Sequence, residues 1–199
     1  MTDYNREVSD RLYFSCWVRG FNAAGMLQHY GHLLETFPFS KLARSAAILR
    51  VYALEFAEPP AVERPFEQGT DLSEILVVAR EFTQADCCCE LEAWWDLWQY
   101  EGEWKLQPVP VHILCLGPHF EGNETGDHLR IDFGRDSTFL PMPQVEGSLR
   151  MQQSNLRSLL HLVNEIERSL ILKRRQLWSE SGANFADLLK HAVGQFDSH

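Results

Sequence analysis

An α+β fold, built from an antiparallel sheet with helices packed mainly on one face and a long C-terminal helix, is what this sequence predicts. Three observations carry that expectation. Residues 11–19, 47–56, 87–100, 104–116 and 128–133 have the composition and alternation of strands, while 22–37, 70–82, 149–172 and 184–196 repeat apolar residues at helical spacing. The connection between the third and fourth strand segments is too short for anything but a hairpin. The order strand-helix-strand-helix-strand-strand-strand-helix-helix belongs to a sheet covered by helices on one side. A ferredoxin-like core is expected within it, and that layout by itself carries no function.

The first strand alternates Leu12, Phe14, Cys16 and Val18 against Tyr13, Ser15 and Trp17, so both of its faces are apolar enough for a central position. Gly20 breaks it. Asn22 then caps a helix through Met26, Leu27, Tyr30, Leu33, Leu34 and Phe37, which Pro38 ends. Ala47 to Phe56 is the second strand, and the stretch from Glu58 to Pro65 reads as a loop that cannot pair in a sheet because it holds three prolines. Thr70 or Asp71 caps a short helix through Ile75, Val78, Ala79 and Phe82.

Residues 87–117 are the most informative part of the chain. They hold four of its six tryptophans and four of its five cysteines. As a strand, Leu91, Ala93, Trp95 and Leu97 point one way, and Glu90, Glu92, Trp94, Asp96, Trp98 and Tyr100 point the other. Glu101 and Gly102 reverse the chain, and the returning strand starts on an edge or bulge because Pro108 and Pro110 cannot donate to a ladder. Gly117 to Asp127 is a loop and His128 to Phe133 a short strand; Pro141 and Pro143 then separate the sheet from the helices.

In the long helix Leu149, Leu156, Leu159, Leu160, Val163, Ile166 and Leu170 form a core-facing stripe. Lys173, Arg174 and Arg175 are read as the cationic end of that helix, where they complement its dipole. A last amphipathic helix starts at Asn184 with Phe185, Leu188, Leu189, Ala192, Val193 and Phe196 on one side. The 199 residues, 45% of them hydrophobic, suffice for a single domain over 1–199, with 145–199 a helical segment packing on the sheet.

Composition narrows the function classes. Aromatic residues at 12% with 23% charged residues exclude wholesale disorder. The formal charge of −10 is concentrated between Glu55 and Glu103, where thirteen acids face only Arg64 and Arg80, so nucleic acid is not an expected partner. The polar N-terminus and the absence of an apolar run of spanning length predict a cytoplasmic chain with no membrane partner. Cys87, Cys88 and Cys89 lie in a row rather than in the spaced pairs that wrap a zinc ion, and they are read with Cys115 as small buried hydrophobes with reduced thiols.

No catalytic residue, metal site or cofactor is assigned. His119, Glu121, Asn123, Glu124, Asp127 and His128 share a loop whose spacing matches no calcium or zinc motif, and His29 and His32 are read as an exposed pair. No serine has a nucleophile-elbow context, and Glu90 and Glu92 would need a pocket to act as acid and base. What remains is the face bearing Trp94, Trp98 and Tyr100 beside Glu90, Glu92 and Asp96. Indoles and phenols dominate binding hot spots and interleaved acids steer basic partners, so the expected function is a non-catalytic module that binds a protein or peptide. That reading fails if a helix covers the two tryptophans. The alternative is a ligand-binding protein or enzyme with a pocket between sheet and helices, lined by Trp17, Tyr30 and Trp95. The chain is expected to be a monomer, or a homodimer if the long helix pairs with its symmetry mate.

Overall fold

Fourteen residues, Cys87–Tyr100, form the longest strand, and the remaining elements are placed by what they cover along it. The structure is a computed structural model that describes residues 9–142 and 145–194. In chain order the strands are β1 (Arg11–Val18), β2 (Ala47–Ala53), β3 (Val62–Phe66), β4 (Cys87–Tyr100), β5 (Trp104–Leu116), β6 (Leu129–Arg135) and β7 (Leu172–Ser179). The helices are α1 (Met26–Thr36), α2 (Leu72–Phe82), α3 (Ser148–Ser169) and α4 (Phe185–Gly194), and a 3-10 turn at Asp136–Thr138 follows β6. Pro143 and Phe196 lie outside the described residues.

The strands make one sheet in the order β3-β2-β4-β5-β6-β1-β7, with every neighbouring pair antiparallel. This is the α+β architecture the alternation implies. A ferredoxin-like core is not confirmed, because β4, β5 and β6 stand between β1 and β2. The β1-α1-β2 connection therefore crosses the middle of the sheet, and the Tyr30 hydroxyl of α1 donates to the Ile113 carbonyl at 2.8 Å.

One sheet face and the helices share a single apolar core. Leu12, Phe14, Cys16 and Val18 of β1, Leu91, Ala93, Trp95 and Leu97 of β4, and Val111, Ile113 and Cys115 of β5 are buried in it with Tyr30, Leu33 and Leu34 of α1. Leu159, Leu162, Val163 and Ile166 of α3 complete the layer, so the α3 stripe is used within the chain. Leu149 and Leu160, expected in that stripe, are exposed.

Three segments differ from the reading of the sequence. Val62–Phe66 pairs with β2, with Pro65 opposite Ile48, instead of forming a loop. It is an edge strand with one neighbour, the setting in which a sheet tolerates a missing donor. Asn22 caps a turn before α1, accepting from the Gly25 N–H at 3.0 Å. Lys173, Arg174 and Arg175 belong to edge strand β7 and not to a helix end. Arg174 lies 4.3 Å from the Trp17 ring centre, and Arg175 pairs with Glu167 at 3.0 Å. Cations along an outer strand discourage edge-to-edge pairing.

Candidate functional site

β4 and β5 outrun their neighbours. The last pair between β2 and β4 is Ile48 with Glu92, and β6 pairs with β5 only from His112 to Cys115. Residues 93–111 therefore stand beyond the rest of the sheet as a two-stranded arm, closed by a turn in which Gly102 has φ of 83°. That positive φ is why a glycine stands there. Pro108 and Pro110 fall where β5 has lost its β6 neighbour, which is how a strand with two prolines stays paired on its other side.

The side of the arm facing the helices is core. Trp95 packs against Phe37, Phe133 and Phe139 with ring centres 5.8, 5.7 and 6.2 Å away. The opposite side carries four cross-strand pairs: Trp94 with Pro110, Asp96 with Pro108, Trp98 with Leu106, and Tyr100 with Trp104. Trp94 and Trp98 are partly buried and stand outside the core cluster, on the face away from the helices. Tyr100 and Leu106 are each 44% exposed, and the Tyr100 and Trp104 rings lie 5.4 Å apart.

Polar side chains hold the arm where strands would otherwise be. Asn155 of α3 accepts from the Trp98 N–H and donates to the Trp98 carbonyl, both at 2.9 Å, and also donates to the Thr138 carbonyl. On the same edge Ser40 donates its N–H to the Trp94 carbonyl at 2.7 Å, and its hydroxyl donates to Asp96. Asp96 also accepts from the Lys41 N–H at 2.9 Å. At the tip, the Trp104 indole donates to the Glu146 carbonyl at 2.8 Å.

The acids expected on this face are therefore occupied. Arg50 of β2 bonds Glu63 and Glu92 at 2.7 Å and Glu90 at 3.4 Å. Glu90 also holds His112 Nδ1 at 2.7 Å. That hydrogen bond raises the His112 pKa above its ordinary value, with burial opposing it. Asp132, opposite His112 on β6, pairs with Arg11. A belt of alternating charge thus crosses the face from β3 to β1, and it leaves the aromatic arm as the apolar part.

The other residues singled out by sequence have structural surroundings. All five cysteines are free and buried, and burial pushes the Cys89 thiol up to about 12. Burial raises the Asp127 carboxyl, while Arg130 at 2.6 Å, with help from Ser15 and Thr125, brings it below the usual range. His128 accepts from the Val18 N–H at 2.9 Å and stacks on Phe21. Trp17, Tyr30 and Trp95 do not face a common pocket, since Tyr30 and Trp95 fill the core and Trp17 lies on the opposite face under Arg174. Sequence reasoning missed Asn155, whose only signal was a polar residue beside a helical apolar stripe.

Among the described residues no cluster of His, Cys, Asp and Glu has the arrangement of a metal site, and no helix is long and apolar enough to cross a membrane. No family model, curated protein or solved structure matches the chain.

Proposed function

We propose that this protein is a non-catalytic binding module that docks a protein or peptide on the outer face of the β4–β5 arm. Trp94, Trp98 and Tyr100, joined by Trp104, Leu106 and Pro110, supply the contact area. Glu101 and Glu103 are exposed at the tip, with Lys105 alone paired to Glu103 at 2.6 Å, so the rim favours a partner with basic groups around an apolar centre. Glu90, Glu92 and Asp96 fix the strands beneath the surface.

The observation that carries this reading is the exposure of Tyr100 and Leu106 next to Trp98 and Trp104, on an arm whose other side is anchored in the core. Large side chains held on a rigid ribbon lose little entropy on contact, which is the property of binding hot spots. The test is a Tyr100→Ser, Leu106→Ser double variant. The reading expects its thermal stability to match the wild type while a partner recovered with the wild type, then purified, binds it at least about tenfold more weakly. Equal binding to both proteins would overturn it.

A further inference from the structure

A second site lies on the helix side of the same sheet edge. Where β4 runs past the start of β2, a cavity of about 520 Å³ opens between the sheet and α2. Leu91, Ala93, Ala47 and Phe66 form its sheet side, and Leu72 and Ile75 of α2 stand across from them. Trp94 closes one end, with its indole N–H aimed at the Ala46 carbonyl at 3.4 Å. The volume lies within the range of roughly 300–1,000 Å³ that holds drug-sized ligands, and such sites are mostly apolar with a few polar groups at one end.

The polar end is the mouth. Lys41 lines it from the segment strapped along β4, and its ammonium has no ion-pair partner among the described residues; Glu67 lines the facing wall. Lys41 is the one cation among the lining residues, and Arg44 is exposed three residues along the same segment. Asp96 of β4 is taken up by its bonds to the Ser40 hydroxyl and the Lys41 backbone N–H, with no ion pair between the Asp96 and Lys41 side chains among the described residues.

We propose that this cavity binds a small amphipathic molecule, with an apolar chain or ring between β4 and α2 and a single anionic group at Lys41. The inference does not rest on a partner docking at the arm's outer face, although Trp94 borders both sites, because the apolar walls come from Ala47, Phe66, Leu91 and Ala93 of the sheet and Leu72 and Ile75 of α2.

Sodium decanoate, below its micelle concentration, is the probe, titrated calorimetrically into the full chain, with decyltrimethylammonium as the control of opposite charge. The expected result is saturation at one equivalent with a rise in Tm, and no such effect from the cationic amphiphile. Ala47→Leu and Ala43→Leu, which fill the cavity, should weaken decanoate binding at least about tenfold, and Lys41→Glu, at an exposed position, several-fold. Binding without saturation at one equivalent, equal binding by the cationic amphiphile, or decanoate affinity unchanged in Lys41→Glu and in whichever filled variants fold would each overturn the proposal. None of these variants touches Tyr100 or Leu106, so failure here and failure of the docking face are separate results.

Discussion

Asn155 of α3 takes the place of a β-strand for Trp98, accepting from its N–H and donating to its carbonyl, each at 2.9 Å. The carboxamide is 1% exposed, so neither half of that exchange can pass to bulk water. This is how a helix holds the free edge of the arm while the Trp98 indole stays on the other side. Replacing Asn155 by Leu would leave the Trp98 N–H without its acceptor, while the Trp98 carbonyl keeps the Gln99 amide at 2.9 Å, and would cost about 1–3 kcal/mol for a buried group left unsatisfied. In a chain of this length that corresponds to a fall in Tm of about 2–4 °C per kcal/mol. Thermal denaturation checks it, and amide exchange at Trp98 should accelerate in the variant.

His112 gives the protein a pH dependence whose sign follows from its bond to Glu90. Its folded pKa is raised above the unfolded value of about 6.5. The stabilisation from protonated His112 is therefore fully present below about pH 6.5 and disappears as pH climbs through the higher folded value. The Tm difference between wild type and His112→Gln should be largest near about pH 5.5 and shrink by about pH 8.5. Glu90→Gln should bring the His112 titration down, read by NMR of the ring protons.

Gly117 sits where no side chain fits. A Cβ there would meet the Ala85 carbonyl and come within 2.6 Å of the Cys87 carbonyl, both backbone atoms that cannot swing aside. The Gly117 N–H donates to Cys87 at 2.9 Å, tying the end of β5 to the start of β4. Gly117→Ala should destabilise by at least the 1–3 kcal/mol typical of overpacking, measured by urea denaturation.

The five thiols should be inert in the folded protein. All are buried, and burial raises the pKa of each, so almost no thiolate is present near neutral pH. A disulfide-exchange reagent at about pH 8 should titrate none of them within the dead time in the native state and all five after unfolding. Fast reaction of Cys87 in the native protein would contradict the packing of the β4 start.

What the sequence showed and what it hid follow from where each signal is written. The faces of β4 were readable because Leu91, Ala93, Trp95 and Leu97 alternate with polar or amphipathic residues through a whole strand. β7 was not: Lys173, Arg174, Arg175 and Gln176 break any apolar alternation, and their aliphatic and planar parts do the packing, as Arg174 does over Trp17. Pro65 hid β3 for the same local reason. Asn155 and Gln152 were unreadable as anchors because their partners, the Trp98 and Ser137 carbonyls, are brought to them only by the tertiary fold. The cavity left no trace, since its walls come from three stretches far apart in sequence, 39–47, 66–75 and 91–94.

Docking of another polypeptide on the outer face of the arm, as proposed above, can be read directly in cells. A photo-crosslinking benzoylphenylalanine placed at position 100, and in a parallel protein at position 77 on the exposed side of α2, tests it in intact cells. The expected result is a discrete adduct with a second polypeptide from position 100, lost when Leu106→Ser is added, and none from position 77. No adduct at position 100, or the same products from both positions, would contradict it.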